Sequence, residues 1–155
     1  MKKIALLSFF IVALNSLLQA QLVVNNSYTT TQLVKDVFLG SGVSVSNITY
    51  TGASKAIGYF NGTNSNIGLD SGIVLTSGDI VNAVGPNNST GKSTSNSLNG
   101  DADLTALCSK TTYDACILEF DFIPTSSKIT FRYVFGSEEY MEYVNSSYND
   151  VFVFF

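Results

Sequence analysis

The sequence predicts a mainly β protein: an antiparallel β-sandwich of jelly-roll kind carrying one or two short helices. Three observations predict it. The apolar runs Ala56 to Phe60, Ile73 to Thr76, Ile117 to Ile123 and Ile129 to Phe135 are of strand length and bounded by Gly, Asn, Ser or Pro. From Val43 onward the pattern has period two and is rich in β-branched and aromatic residues. The stretch Leu33 to Phe38, by contrast, spaces its apolar residues as a helix does. Two stacked sheets are the economical way to bury alternating faces.

The chain opens with Met1-Lys2-Lys3, an apolar run from Ile4 to Leu18 and then Gln19-Ala20-Gln21, the three parts of an export signal. As a helix the run reaches only about 22 Å at 1.5 Å per residue, short of the ~30 Å hydrocarbon slab. Ser8, Asn15 and Ser16 weaken it further as an anchor, so residues 1–20 are read as a signal peptide cut after Ala20, and 21–155 as the domain. An uncleaved N-terminal anchor is the alternative, and the domain itself is expected to hold no membrane span. With Lys2 and Lys3 removed, the formal charge moves from −4 to −6.

Leu22 to Val24 reads as a short strand, and Ser27 to Thr31 offers hydroxyl caps for the helix that follows. Leu33, Val34, Val37 and Phe38 share its apolar face, and Gly40 suits a left-handed end. Val43, Val45, Asn47 and Thr49 then alternate with Ser44, Ser46, Ile48 and Tyr50. Gly68-Leu69-Asp70-Ser71-Gly72 is a turn feeding the strand at Ile73. Gly85 to Gly100, almost wholly Gly, Asn, Ser and Thr, is too polar to bury and is expected to be a long, mobile surface loop. Pro124 to Ser127 makes a short connection, so Leu118-Phe120-Phe122 and Ile129-Phe131-Tyr133-Phe135 are expected to form an antiparallel hairpin. The chain stops at Val151-Phe152-Val153-Phe154-Phe155, which reads as the inside of a strand. That suggests a fragment of a longer protein, or a neighbouring strand supplied from elsewhere.

Composition removes several chemistries. There is no His, which excludes Ser-His-Asp and Cys-His nucleophiles, histidine metal ligands and an imidazole switch. Two Cys cannot by themselves close a zinc site, and an acidic chain lacks the basic footprint that nucleic acid requires. Gly85 to Ser93 has five residues between its glycines where a phosphate-binding loop has four, and no helix-forming run follows. Asp70, central between Gly68 and Gly72, has no base to activate it as a nucleophile.

The remaining candidates are acidic. Glu138, Glu139 and Glu142 crowd one turn and Asp150 follows; adjacent carboxylates repel unless water or a cation intervenes. Three readings stay open: a solvated acidic turn, a Ca²⁺ site with Glu138, Glu139 and Asp150 as ligands, and a glycosidase carboxylate pair. Asp101 and Asp103, after Asn99, are second-choice Ca²⁺ ligands; the alternative is capping of the helix that starts there. An EF-hand is excluded, because its Gly and Glu places hold Leu104 and Lys110. In an exported protein Cys108 and Cys116 are expected to form a disulfide, whose nine-residue loop would contribute about 2–3 kcal/mol.

Ala56-Ile57-Gly58-Tyr59-Phe60, Asn66 to Leu75, Gly100 to Leu104 and the stretch from Tyr113 to the end resemble the choice-of-anchor L domain family of bacterial exported proteins. The most specific pieces are Phe135-Gly136-Ser137-Glu138-Glu139-Tyr140 and Tyr148-Asn149-Asp150-Val151-Phe152. The resemblance implies a secreted or cell-surface, adhesin-like protein with a C-terminal anchoring or sorting segment beyond Phe155, and it carries over no catalytic residue. Cys116 stands where a small residue is usual and Cys108 is extra, which points to a bond particular to this chain.

The function expected is a non-catalytic surface module for adhesion or recognition of an extracellular glycan or protein, stabilised by Ca²⁺ at the acidic turn. Tyr59, Tyr140 and Tyr143 are candidates for its contact surface. A secreted carboxylate hydrolase and a purely structural carrier domain are the alternatives.

Overall fold

The computed structural model describes residues 21–40, 42–137, 140–148 and 150–155; the expected signal peptide and Glu138 and Glu139 lie outside the described residues. In chain order come β1 (Val23–Asn25), the short helix α1 (Thr30–Gln32), which runs into a π-helical turn (Leu33–Phe38), and β2 (Ser44–Thr51). A 3₁₀ turn (Ser54–Ala56) leads into β3 (Ile57–Asn61), then β4 (Ser71–Leu75), a second 3₁₀ turn (Ile80–Val84), α2 (Ala102–Cys108) and β5 (Ile117–Ile123). The protein is thus mainly β, with antiparallel sheets and two short helices: β1-β3-β4 form one sheet and β2-β5 another.

Thr29 starts the helical segment by a reciprocal cap. Its Oγ1 accepts from Gln32 N at 3.2 Å, while Gln32 Oε1 accepts from Thr29 N at 2.9 Å. The turn then widens, with Leu39 N donating to Val34 O at 3.0 Å, and Gly40 follows at φ 69°, a left-handed conformation that glycine adopts without steric cost. Leu33 and Val34 on this segment are fully buried, and with Ala56, Ile57, Phe60 and Ile80 they make the core. The segment packs on β3 and β4, and Phe38 at its end meets Phe120 of β5, so it touches both sheets. Phe60 lies opposite Gly72 across the β3–β4 pair, and a methyl at Gly72 would come within 2.9 Å of the Phe60 ring; the missing side chain makes room for it.

β2 departs from the strict alternation read from the sequence. Its pairing with β5 breaks between Ser46 and Thr49, where Asn47 takes φ 52°. This bulge shifts the phase, so Val45, Ile48 and Tyr50 turn inward while Ser46, Asn47 and Thr49 face solvent. Without it, Val45 and Ile48 would lie on opposite faces. Asn47 Nδ2 donates to Asp121 Oδ2, and Thr49 Oγ1 donates to Glu119 Oε2 at 3.3 Å, tying the bulged strand to its neighbour. On β5 the face Leu118, Phe120, Phe122 is the inner one, as its alternation indicates.

The hairpin expected between Leu118–Phe122 and Ile129–Phe135 is not formed. β5 pairs with β2 alone among the described residues, and residues 129–135 form no strand. Their rings meet residues 152 and 154: Phe131 stacks on Phe154 at 5.1 Å and Tyr133 lies tilted against Phe152 at 5.6 Å between centroids. Ring contacts with residues 152 and 154 have won over the locally available turn.

Candidate functional site

The alternate aromatic residues at 131, 133, 135 and 152, 154 do more than fill space. From β5 outward, Phe122 touches Phe120 (6.0 Å), Phe120 touches Phe38 (5.9 Å) and Phe38 touches Phe131 (6.0 Å). Phe131 passes the contact to Phe154, and Phe152, Tyr133 and Phe135 complete a continuous column of rings. Its inner end sits on the sheet and its outer end is open: Tyr133 is 63% and Phe135 53% exposed. Around the turn that follows, Tyr140 and Tyr148 are also exposed, and Tyr148 meets Tyr143 edge-on at 5.4 Å. The result is a broad apolar and tyrosine-bearing surface continuous with the core. The sequence signal for it is the i, i+2 spacing of these rings.

The acidic candidates divide. Asp150 Oδ2 accepts from Ser137 Oγ at 2.9 Å; Glu138 and Glu139 are outside the described residues. Asp101 caps α2, its Oδ1 accepting from Leu104 N at 2.9 Å, and Asp103 stands in the first turn, where the helix dipole favours a negative charge. Among the described residues no three Asp, Glu, His or Cys side chains come close enough to share a metal ion. Tyr59, the remaining contact candidate, sits on β3 and packs on Tyr28 at 5.4 Å, away from the aromatic column.

A polar staple that sequence reading missed lies at Asp114. This residue takes φ 51°, which aims its carboxylate at the loop 95–98. It accepts from Ser95 Oγ (3.2 Å), Asn96 N (3.0 Å) and Leu98 N (2.6 Å). Asn96 in turn donates to the carbonyls of Ser77 and Gly78 at 2.9 and 2.8 Å. The end of the polar 85–100 stretch is therefore pinned to the body of the domain. Burial alone would raise the Asp114 pKa, but the N–H donors of Leu98 and Asn96, the Ser95 hydroxyl and the charge of Lys55 outweigh it and hold the carboxyl below its usual 3.8. A depressed folded-state pKa adds stability that is present above the unfolded value and lost as pH falls through the folded one. Asp114→Asn is accordingly expected to unfold earlier than wild type at pH 7, with the gap between the two melting curves narrowing as pH falls below 3.8; a gap that does not narrow with acidification would contradict the staple.

The expected Cys108–Cys116 disulfide is absent, and both thiols are free. Cys108 ends α2, with its Sγ 3.2 Å from the Lys110 carbonyl, and Ser109 then turns the chain in a left-handed conformation. Thr112 Oγ1 donates to Asp101 O at 3.0 Å and an isolated bridge joins Asn99 to Tyr113, so the intervening loop is held non-covalently while Cys116 is led into β5. There Cys116 Sγ lies 3.5 Å from both the Tyr50 hydroxyl and the Ala56 carbonyl. Burial, opposed by hydrogen bonds from Tyr50 and Thr76, raises its pKa above the usual thiol value, and burial with the Cys116 contact raises that of Tyr50 as well. Unreduced, denatured protein is expected to show two thiols to Ellman's reagent, and native protein to show Cys116 as the slower of the two, because the thiolate is the reacting form. A count of zero without reductant would mean the bond forms after all.

Compared with known protein families, residues 22–155 match the model described as the choice-of-anchor L domain. No curated protein and no solved structure matches the chain.

Proposed function

The chain belongs to the choice-of-anchor L domain family, a cell-surface rather than enzymatic kind of module, and from that membership we propose that it is an exported bacterial protein serving adhesion or recognition. In this reading residues 1–20 direct export and are removed, residues 21–155 are the domain, its two sheets are the layers of a sandwich, and an anchoring or sorting segment follows in the full protein. Its partner is an extracellular glycan or protein. The observation that carries the reading is the open end of the aromatic column. Exposed rings in such number cost solubility unless something covers them, and Phe38 and Phe120 hold them in place rather than leaving them to collapse. The test is retention of the purified chain on producing cells stripped of it. Replacing Tyr133 and Phe135 by serine is expected to abolish retention while changing the melting temperature little; retention equal to wild type would overturn the assignment.

Calcium is a second part of the proposal. Asp150, already held by Ser137, would share the ion with Glu138 and Glu139, with Asp101 and Asp103 the second choice; extracellular calcium sites work at about 10⁻⁴ to 10⁻³ M. Millimolar Ca²⁺ is expected to raise the melting temperature relative to chelator, and Asp150→Asn to remove the rise. An unchanged melting temperature in wild type would eliminate the ion.

A further inference from the structure

Arg132 is the chain's single arginine, in a polypeptide of formal charge −4. Its Nη2 donates to the Gly68 carbonyl at 2.8 Å, and it has no carboxylate partner among the described residues. That one bond uses a single N–H of the five a guanidinium carries and leaves the others to a ligand. The guanidinium stands in a concavity of about 370 Å³ between two strips of chain, Ile67–Leu69 and Phe131–Val134. This lies near the lower end of the range for small-ligand sites, about 300–1,000 Å³. The site therefore offers a planar cation beside the apolar side chains of Ile67, Leu69 and Val134, in an open depression with room for one ring-sized group.

The charge selects the anion. One guanidinium matches one carboxylate in a bidentate pair. A phosphomonoester would bring about two negative charges into an already acidic chain. The surroundings select its carrier. Phe131 and Tyr133 are engaged by Phe154 and Phe152, while Arg132 reaches to Gly68 of the other strip. The 131–134 segment thus has other parts of this chain against it at Phe152, Phe154 and Gly68, which obstruct an extended peptide laid along it. A pyranose ring has an apolar C–H face suited to those apolar side chains, and a carboxylated one supplies the partner for the cation. We propose that this concavity binds a uronic acid residue of an acidic polysaccharide, with Arg132 holding its carboxylate. The inference builds on the surface-recognition reading and names the ligand class at one edge of the aromatic surface.

A lone arginine gives a single side-chain Nε–H signal in a ¹H–¹⁵N spectrum, so the site reports on itself. Titrating the labelled chain with D-glucuronate is expected to shift that signal saturably. D-glucose is expected to leave it in place, and acetate, lacking the ring, to bind at least tenfold more weakly. Arg132→Lys, shown to be folded by an unchanged backbone spectrum, is expected to weaken glucuronate about tenfold or more at the Gly68 and Leu69 amides, as loss of one charge-assisted bond implies. No saturable shift with glucuronate, or acetate binding as well as glucuronate, would overturn the proposal, and a tighter response to a glutamate peptide would overturn the sugar assignment. Any of these results with cell retention intact sinks the uronate site alone; loss of retention in the Tyr133, Phe135 variant is needed to support the wider reading.

Discussion

Leu33→Ala is expected to lower the free energy of unfolding by about 2–5 kcal/mol, the range for large-to-small changes in a packed core. Leu33 is fully buried at the junction of α1 and the π-helical turn, beside Val34 and with Ile80 almost equally enclosed, so the site has little freedom to collapse. Against a total of about 5–15 kcal/mol such a loss is severe. Urea denaturation followed by far-ultraviolet circular dichroism measures it, and a change below about 1 kcal/mol would mean the helical segment does not anchor the core.

Phe38→Ala is expected to cost roughly 2–4 kcal/mol, from lost apolar burial and from two ring contacts, to Phe120 and Phe131. Its more telling effect is local. Phe38 is the link between the β2-β5 sheet and the rings at 131, 133, 152 and 154, so its removal should release residues 129–135 and 150–155. The β1-β3-β4 sheet, held by its own ladder and by Ile57 and Phe60, should keep its protection. Hydrogen exchange read by segment separates these outcomes. Protection lost equally throughout would show that the column is not a distinct unit.

What the sequence made legible follows from the range of the forces involved. The helix start at Thr29 and its left-handed end at Gly40 depend on residues within a few positions, and both were readable as hydroxyl and glycine signals. So was the inner face of β5, because alternation there is uninterrupted. β2 was not, since its two alternating sets each mix polar and apolar residues, and only the positive φ at Asn47 brings Val45, Ile48 and Tyr50 to one side. The hairpin after Pro124 failed for a related reason. A short connection makes local pairing cheap, but contacts from residues 152 and 154, about twenty positions away, decide where the rings at 131 and 133 go.

The candidate site shows the same division. Capping by Asp101 was one of two readings that its spacing allowed, and the structure carries it. The Asp114 staple depends on a left-handed residue that no local pattern announced. Cysteine spacing permitted a disulfide but could not show that Thr112 and the Asn99–Tyr113 bridge would hold the same loop without one. The family match fits the resemblance read from Phe135 to Tyr140 and Tyr148 to Phe152, where two stretches of this chain meet through Ser137 and Asp150.

Where the native protein resides tests the account most directly. Intact producing cells treated with a protease that cannot enter them should lose the protein from immunoblots, and the product isolated from the outside should begin at Gln21. A full-length chain starting at Met1, shielded from the protease and recovered with cytosolic proteins, would contradict the account.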